Sequence, residues 1–222
     1  MKTKAKSKFF IGAMLLVSFI LWTALVQTVD VKPAGVNGTD IGFSAVNLWC
    51  YSLTGVNMTL YTITDWLGLI PLFGCFALGI TGFLQMIKRK SLFKVDFDII
   101  VSGIYYIIVI LCYFGFEMIQ INYRPVLING VAEASYPSST TLLVLSVMPA
   151  LADFVICRNK YEILNKLIVI FTVSFSVFMV SGRFLSGVHW VTDILGSVLL
   201  SAGLYCTYKG VILWNLTKKF RS

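Results

Sequence analysis

Six blocks of about 20 mostly apolar residues run through this chain, and they constrain its fold more than any other feature. An α-helix needs a block of that length to cross the hydrocarbon core of a bilayer. The blocks cover about residues 9–29, 66–87, 99–116, 139–157, 163–181 and 191–214. Of 222 residues only 13% are charged, too few to cover a soluble domain. We therefore predict an all-α, polytopic membrane protein, with residues 1–222 forming one six-helix bundle.

The first apolar block follows four lysines, at positions 2, 4, 6 and 8, as a signal peptide would. Because the block is longer than the roughly 7–15 apolar residues of a signal peptide, we expect a retained helix. Residues 30–64 are mixed in character and contain turn formers around Pro33 and Asn37. We predict an outer loop there, with residues 43–61 lying on the membrane surface or capping the bundle.

The distribution of basic residues predicts the orientation in the membrane. With the N-terminus in the cytoplasm, all but three of the 18 basic residues, from the first lysines to Arg221, fall on the cytoplasmic side. The exceptions are Lys32, Arg124 and Arg183. Both termini are thus expected in the cytoplasm, with the helices crossing a plasma or inner membrane.

The basic residues form short runs between apolar blocks, so the net charge of +8 does not indicate nucleic-acid binding. No obligate protein partner is indicated.

Three short polar segments, around residues 117–125, 136–141 and 182–193, converge on the outer face in this topology. The third contains His189, the only histidine, with Asp193 four residues later. If the segment is helical, the two side chains share a face, and the carboxylate can hold one ring nitrogen while the other acts as a nucleophile or base. Arg183 offers a planar fork suited to phosphate oxygens. The alternative is that His189 and Asp193 only cap a helix.

The second segment has the composition of a helix start, in which Pro137 precedes Ser138, Ser139 and Thr140. Free backbone amides at such an end form an anion site, helped by the helix dipole. Capping alone also explains these residues.

Together the three segments resemble the signature motifs of the type-2 phosphatidic acid phosphatase and vanadium haloperoxidase superfamily, in its membrane-embedded lipid phosphatase branch. The family pattern is Lys-x6-Arg-Pro, then Pro-Ser-Gly-His, then Ser-Arg-x5-His-x3-Asp. The matching residues, in chain order, are Arg124, Pro125, Pro137, Ser138, Arg183, His189 and Asp193. The six-helix bundle of that branch covers essentially the whole chain.

The resemblance implies a mechanism and a substrate class. His189 would attack phosphorus and form a phosphohistidine, with Asp193 orienting the ring. No metal or other cofactor is implied. The substrate would be a lipid phosphate or a polyprenyl diphosphate, bound at the outer leaflet. The phosphate oxygens would be held by Arg124, Arg183, the amide and hydroxyl of Ser138, and the adjoining Ser139 and Thr140.

The chain departs from the family pattern at four positions. Glu117 occupies the position of the family's lysine, and Ser139 that of its glycine. Thr140 occupies the position of the histidine that serves as general acid, and Gly182 that of the serine. A general acid typically raises the reaction rate about 10²–10⁴-fold. Its loss should slow the departure of an alkoxide more than the departure of a phosphate group from a diphosphate. Glu117 is our candidate for a replacement acid, with Glu133 second. The alternative is that Glu117 pairs with Arg124.

Three functions therefore stay open. The first is a lipid-phosphate phosphatase or phosphotransferase with altered acid chemistry, and the second is a lipid-phosphate-binding pseudoenzyme. The third is an unrelated membrane transporter or scaffold, which predicts ionisable residues in the middle of spanning segments. Only Asp153, near a cytoplasmic end, approaches that description, which favours the first two.

Overall fold

The computed structural model describes residues 2–219, so Arg221 of the predicted cytoplasmic group lies outside it. Over this range the chain is helical, and its only strand-like pairings are isolated bridges. The α-helices are α1 (Lys2–Thr28), α2 (Ser44–Thr54), α3 (Met58–Leu67), α4 (Leu69–Arg89), α5 (Phe97–Met118), α6 (Ser139–Ile156), α7 (Glu162–Leu185) and α8 (Val191–Lys219).

Six stretches within residues 2–219 are long and apolar enough to cross a membrane, namely α1, α3 together with α4, and each helix from α5 to α8. The all-α, six-span architecture predicted from the sequence is confirmed, and the chain is a multi-pass membrane protein. Alternating directions place the ends of α1, α5 and α7 and the starts of α6 and α8 at one end of the bundle. We call this the histidine end, after His189, and the opposite end the basic end.

Ion pairs at the basic end involve residues from several helix termini. Arg89, at the end of α4, lies 2.7 Å from Asp96, just before α5. Lys209 of α8 lies 2.5 Å from Asp153 of α6. Asp153 therefore has an ion-pair partner at this end of the bundle.

The predicted outer segment, residues 30–64, contains helix α2 and the first residues of α3, which belong to the same apolar stretch as α4. Asn57 begins α3 by accepting a hydrogen bond from the amide of Leu60 at 2.9 Å, the usual stabilisation of a helix start. Only Gly68 separates α3 from α4. The second apolar stretch therefore begins eight residues before position 66, and its added part, α3, packs against α7.

Glycines let α1 and α8 approach closely. A Cβ atom on Gly12 would lie 2.6 Å from Oγ1 of Thr207, and one on Gly203 would lie 2.9 Å from the Leu16 side chain. Small residues at such contacts are typical of helix pairs in membranes, where tight packing stabilises association. The contact also fixes the end of α1 beside α8, where the Trp22 indole donates to the Thr192 carbonyl at 3.1 Å.

The polar loop between α5 and α6 folds back on itself as an irregular hairpin. Asn129 and Gly130 have φ angles of 51° and 79°, the left-handed region favoured in two-residue hairpin turns. The amide of Arg124 donates to the carbonyl of Glu133 at 3.0 Å across the hairpin. The Asn-Gly turn thus sets Arg124 and Glu133 side by side at the histidine end.

Helix α6 lies at the centre of the bundle, packed against α4, α5, α7 and α8. Its residues from Thr140 to Val144 are all buried. The first turn of α6 is therefore enclosed by protein, where an anion bound to it would be shielded from water.

Candidate active site

His189 lies in the connection between α7 and α8, two residues before α8 begins. His189 thus precedes the helix, so the condition under which it would share a helical face with Asp193 is not met, although the two side chains lie 3.7 Å apart. Gly187 gives this connection its course, because its φ angle is 66° and a Cβ atom there would lie 1.7 Å from the carbonyl oxygen of Gly55. Only glycine permits that approach, which brings the histidine loop onto the α2–α3 connection.

The two ring nitrogens of His189 have different surroundings. Nδ1 lies 3.2 Å from the backbone carbonyl of Ser135 and 3.7 Å from Oδ2 of Asp193. Nε2 is buried and has no hydrogen-bond partner within residues 2–219. A proton on Nδ1, donated to the Ser135 carbonyl, leaves the lone pair of Nε2 free. The ring is thus held in the form that a nucleophile requires.

Asp193 is fully buried in the first turn of α8. Its Oδ2 accepts from the Trp190 amide at 2.9 Å, and its Oδ1 accepts from the Asn122 side chain at 3.3 Å. The first contact caps the start of α8, as the alternative interpretation proposed. The second ties the histidine loop to the hairpin. Asp193 thus supports the loop as well as lying beside the His189 ring.

The charge state of His189 follows from its position. Burial lowers the pKa of His189 well below its ordinary value of 6.5, and the positive charges of Arg124 and Arg183 lower this pKa further. The imidazole is therefore neutral at neutral pH, which keeps its free nitrogen available as a nucleophile.

Arg183, near the end of α7, is only 1% exposed. One terminal nitrogen donates to Asp65 at 2.8 Å and also to the hydroxyl of Thr140. The other two guanidinium nitrogens are buried without a hydrogen-bond partner in the described part of the chain. The ring of Tyr61 lies beneath the guanidinium, with its centroid 4.8 Å away, in a cation–π contact.

Arg124 is also buried, at 6% exposure. Its Nε lies 3.1 Å from the carboxylate of Glu133, but Nε and one terminal nitrogen make no hydrogen bond of good geometry to residues 2–219. The predicted alternative, a pair between Arg124 and Glu117, is not formed, because Glu133 is the carboxylate within ion-pair distance. Tyr61 lies 5.6 Å from this guanidinium as well and so stands between the two arginines.

Both hydrogen-bond donors that the sequence assigned to Ser138 are used inside the protein. Its amide donates to the Asp193 carbonyl at 3.3 Å, and its hydroxyl donates to Thr141 at 3.0 Å. No side chain caps the first turn of α6, so the amides at its start, beginning with Ser139, stay available to an anion. The hydroxyl of Thr140 is already engaged with Arg183.

Two adjoining spaces open at the histidine end. The smaller, about 10 Å³, is lined by His189 and is large enough for about one water molecule. The larger, a groove of about 750 Å³, is lined by Arg124, Arg183 and Thr140. Glu117 and Ser139 line both spaces. The predicted acid and the start of α6 therefore lie between the histidine and the arginines.

Helix α3 contributes to the site, and this contribution was not predicted from the sequence. Tyr61, Thr64 and Asp65 face α7, and Thr64 explains the glycine before Arg183, because a Cβ atom on Gly182 would lie 2.6 Å from the Thr64 methyl group. One signal was present in the sequence. Asp65 is an ionisable residue inside a continuous apolar stretch, a position that usually carries function.

No model of a known protein family matches the sequence, and no curated protein matches it. Among solved structures, the chain is similar to the first transmembrane PAP2 type phosphatidylglycerolphosphate phosphatase from Bacillus subtilis. The two share 21% identity and superpose with a TM-score of 0.63, over 91% of this chain and 96% of that one. The chain therefore has the six-helix fold of a transmembrane PAP2-type phosphatase.

Proposed function

We propose that this protein is a membrane lipid phosphatase that acts on a lipid phosphate or a polyprenyl diphosphate through a phosphohistidine on His189. The observation that carries the proposal is a set of buried, unpaired nitrogens on three side chains. They are Nε2 of His189, two guanidinium nitrogens of Arg183 and one terminal nitrogen of Arg124, whose Nε lies 3.1 Å from the Glu133 carboxylate. A buried polar group without a partner costs roughly 1–3 kcal/mol, and more if charged. Buried nitrogens of this kind are expected where a bound ligand supplies the missing hydrogen-bond partners.

The ligand that fits these nitrogens is a phosphate group. Two guanidinium forks and the uncapped start of α6 all bind anions, and phosphate oxygens match the planar geometry of arginine. Because the groups are enclosed by protein, their attraction for an anion is weakly screened. They would stabilise the negative charge of phosphoryl transfer without having to reorganise.

The proposed reaction has two steps. Nε2 of His189 attacks phosphorus, the bond from phosphorus to the leaving oxygen breaks, and the Nδ1 proton stays directed at the Ser135 carbonyl. Water then attacks the phosphohistidine, and the bond from phosphorus to nitrogen breaks to release inorganic phosphate. Asp193 lies 3.7 Å from Nδ1 and would stabilise the positive charge that develops on the ring during attack.

The leaving group decides which substrates turn over fast. A polyprenyl diphosphate attacked at its terminal phosphorus expels polyprenyl monophosphate, which leaves without needing a proton, whereas a monoester must expel an alkoxide. Thr140 carries a hydroxyl that cannot act as an acid near neutral pH. Glu117 lines both the histidine chamber and the groove, so it is the residue that we propose as proton donor to an alkoxide.

The groove also suits a lipid tail. Below its charged residues it is lined by apolar side chains from three helices, which include Leu72, Phe114 and Leu143. A headgroup on the arginines would thus continue into an apolar path along α4, α5 and α6. The basic residues at the opposite end support the orientation expected from the sequence, with the site on the outer face of a plasma or inner membrane.

The test is phosphate release by the purified protein from phosphatidate, phosphatidylglycerol phosphate and undecaprenyl diphosphate. We expect release from the diphosphate to be fastest, and an acid-labile, base-stable phosphoprotein to accumulate. His189→Gln should lose both signals, while Lys166→Gln, an exposed change at the basic end, should keep both. Release that persists in His189→Gln would refute the phosphohistidine.

The second candidate is a lipid-phosphate-binding protein without catalysis. The threonine at position 140 favours it, because the hydroxyl supports Arg183 and offers no acid. Binding of all three lipids without release of phosphate from any of them would establish this candidate.

A further inference from the structure

The groove that contains the two arginines also contains three carboxylates. They belong to Asp65, Glu117 and Glu133, and no lysine lines the groove. Three carboxylates against two guanidinium groups leave the empty groove with a formal charge of −1. Even with Glu117 protonated, as a proton donor must be, the groove is only neutral.

A lipid phosphate that enters this groove brings up to two further negative charges. The start of α6 contributes about half a positive charge, which does not balance them. Within residues 2–219, no three histidine, cysteine or acidic side chains are grouped to hold a metal ion. The compensating positive charge is then supplied either by a cationic group on the ligand itself or by a metal ion that the phosphate and one or two carboxylates hold together, and the Mg²⁺ measurement below distinguishes the two.

Two of the carboxylates are placed to receive such a charge. Asp65 contacts one nitrogen of Arg183 at 2.8 Å, and Glu133 lies 3.1 Å from Arg124. Their side chains are 58% and 40% exposed, and both residues line the groove. Beside these carboxylates, two buried nitrogens of Arg183 and one terminal nitrogen of Arg124 have no partner within residues 2–219 and are available to an anion. Acceptor and donor groups thus lie side by side on the same wall.

We propose that the preferred ligand is a zwitterionic lipid phosphate, in which a protonated amine lies a few bonds from the phosphate. The proposal rests on the phosphate site described under the proposed function. The phosphate binds the free nitrogens of Arg124 and Arg183, and the amine binds the carboxylates of Asp65 and Glu133. An amine-free lipid phosphate leaves both carboxylates facing its negative charge, which weakens its binding.

The test compares sphingosine 1-phosphate, whose amine is protonated, with its N-acetyl derivative, in which an uncharged amide replaces that amine. Binding is measured in nanodiscs by protein that carries His189→Gln to prevent turnover. We expect the amine form to bind about tenfold more tightly, as charged hydrogen bonds of roughly 1.5 kcal/mol give. Asp65→Asn and Glu133→Gln should each reduce this ratio. Glu162→Gln, which removes an exposed carboxylate at the basic end, should not change it.

Each other outcome has a defined meaning. Equal affinity for the two lipids, or a ratio that neither groove variant changes, overturns the proposal. The proposal is also overturned if Mg²⁺ raises the affinity of the N-acetyl lipid to that of the amine lipid, because a metal ion would then supply the positive charge. Failure of both lipids to bind overturns this proposal and the phosphate site together. An amine preference in binding, with no phosphate released by the unmodified protein, supports this proposal and refutes only the phosphatase.

Discussion

Replacing Gly182 by alanine tests the packing that fixes Arg183. The added Cβ atom would lie 2.6 Å from the methyl carbon of Thr64, whereas carbon atoms in contact normally lie about 3.5–4.0 Å apart. The overlap is with a buried side chain on α3, so α3 and α7 must separate. Adding a methyl group to a well-packed site typically costs about 1–3 kcal/mol, and we expect about 2 kcal/mol for Gly182→Ala.

Thr64→Ser provides the matched partner for a double-mutant cycle. Serine keeps the hydroxyl, which bonds to the carbonyls of Leu60 and Tyr61 at 2.9 Å, and it removes the methyl carbon that causes the overlap. The next atom near Gly182, on Leu60, is 3.6 Å away and is an ordinary contact. The single change should cost about 1 kcal/mol for the lost methyl group. The double variant should recover roughly 1–2 kcal/mol relative to the sum of the single changes.

The assay is reversible unfolding of each variant in mixed detergent micelles, with lipid-phosphate binding as a second readout. Gly182→Ala should also weaken binding, because α7 would move Arg183 away from Asp65 and Thr140, and Thr64→Ser should restore it. Additive effects, within about 0.5 kcal/mol, would show that Thr64 does not limit the approach of α7 and would refute the reasoning.

Three further changes test other parts of the structure. The folded protein keeps the pKa of His189 well below 6.5, so on acidification the unfolded chain binds more protons than the folded one. The free energy of unfolding should therefore fall as the pH drops below about 6.5. His189→Gln should make that fall smaller. Phosphate release, which needs neutral His189, should persist below pH 6.5; an activity that halves at that pH would contradict the burial argument. Thr140→Val keeps the shape but removes the hydroxyl bound by Arg183, and we expect substrate affinity to fall roughly tenfold, with unchanged affinity as the contrary result. Gly203→Val should destabilise the α1–α8 pair by about 1–3 kcal/mol in the same unfolding assay, whereas Gly79→Ala, where the added atom meets open space, should be nearly neutral.

Several site residues could be predicted without the structure because their spacing is local. Arg183, His189 and Asp193 fall within eleven positions of one another, across the single connection from α7 to α8. The start of α6 could be predicted from its proline and hydroxyl residues for the same reason. The roles of these residues in catalysis stay predictions until activity is measured.

The partners of those residues could not be predicted, because they come from distant parts of the chain. Asp65 and Arg183 are far apart in sequence, and only the packing of α3 on α7 brings them to 2.8 Å. Glu133 rather than Glu117 neighbours Arg124 because the Asn129–Gly130 turn folds the hairpin back on itself. The Ser135 carbonyl, which lies closest to Nδ1 of His189, leaves no signature in the sequence, since every residue carries a backbone carbonyl.

The sequence by itself determined that this chain is a six-span helical membrane protein, because a bilayer demands long apolar blocks that can be read one at a time. It is also the basis for the orientation that we propose, since the positions of the basic residues between the apolar blocks can be taken directly from the sequence. Only the tertiary structure decided what surrounds the histidine and the two arginines. That environment depends on which helices pack together, and thus on close contacts such as Thr64 against Gly182, which form between residues far apart in the chain.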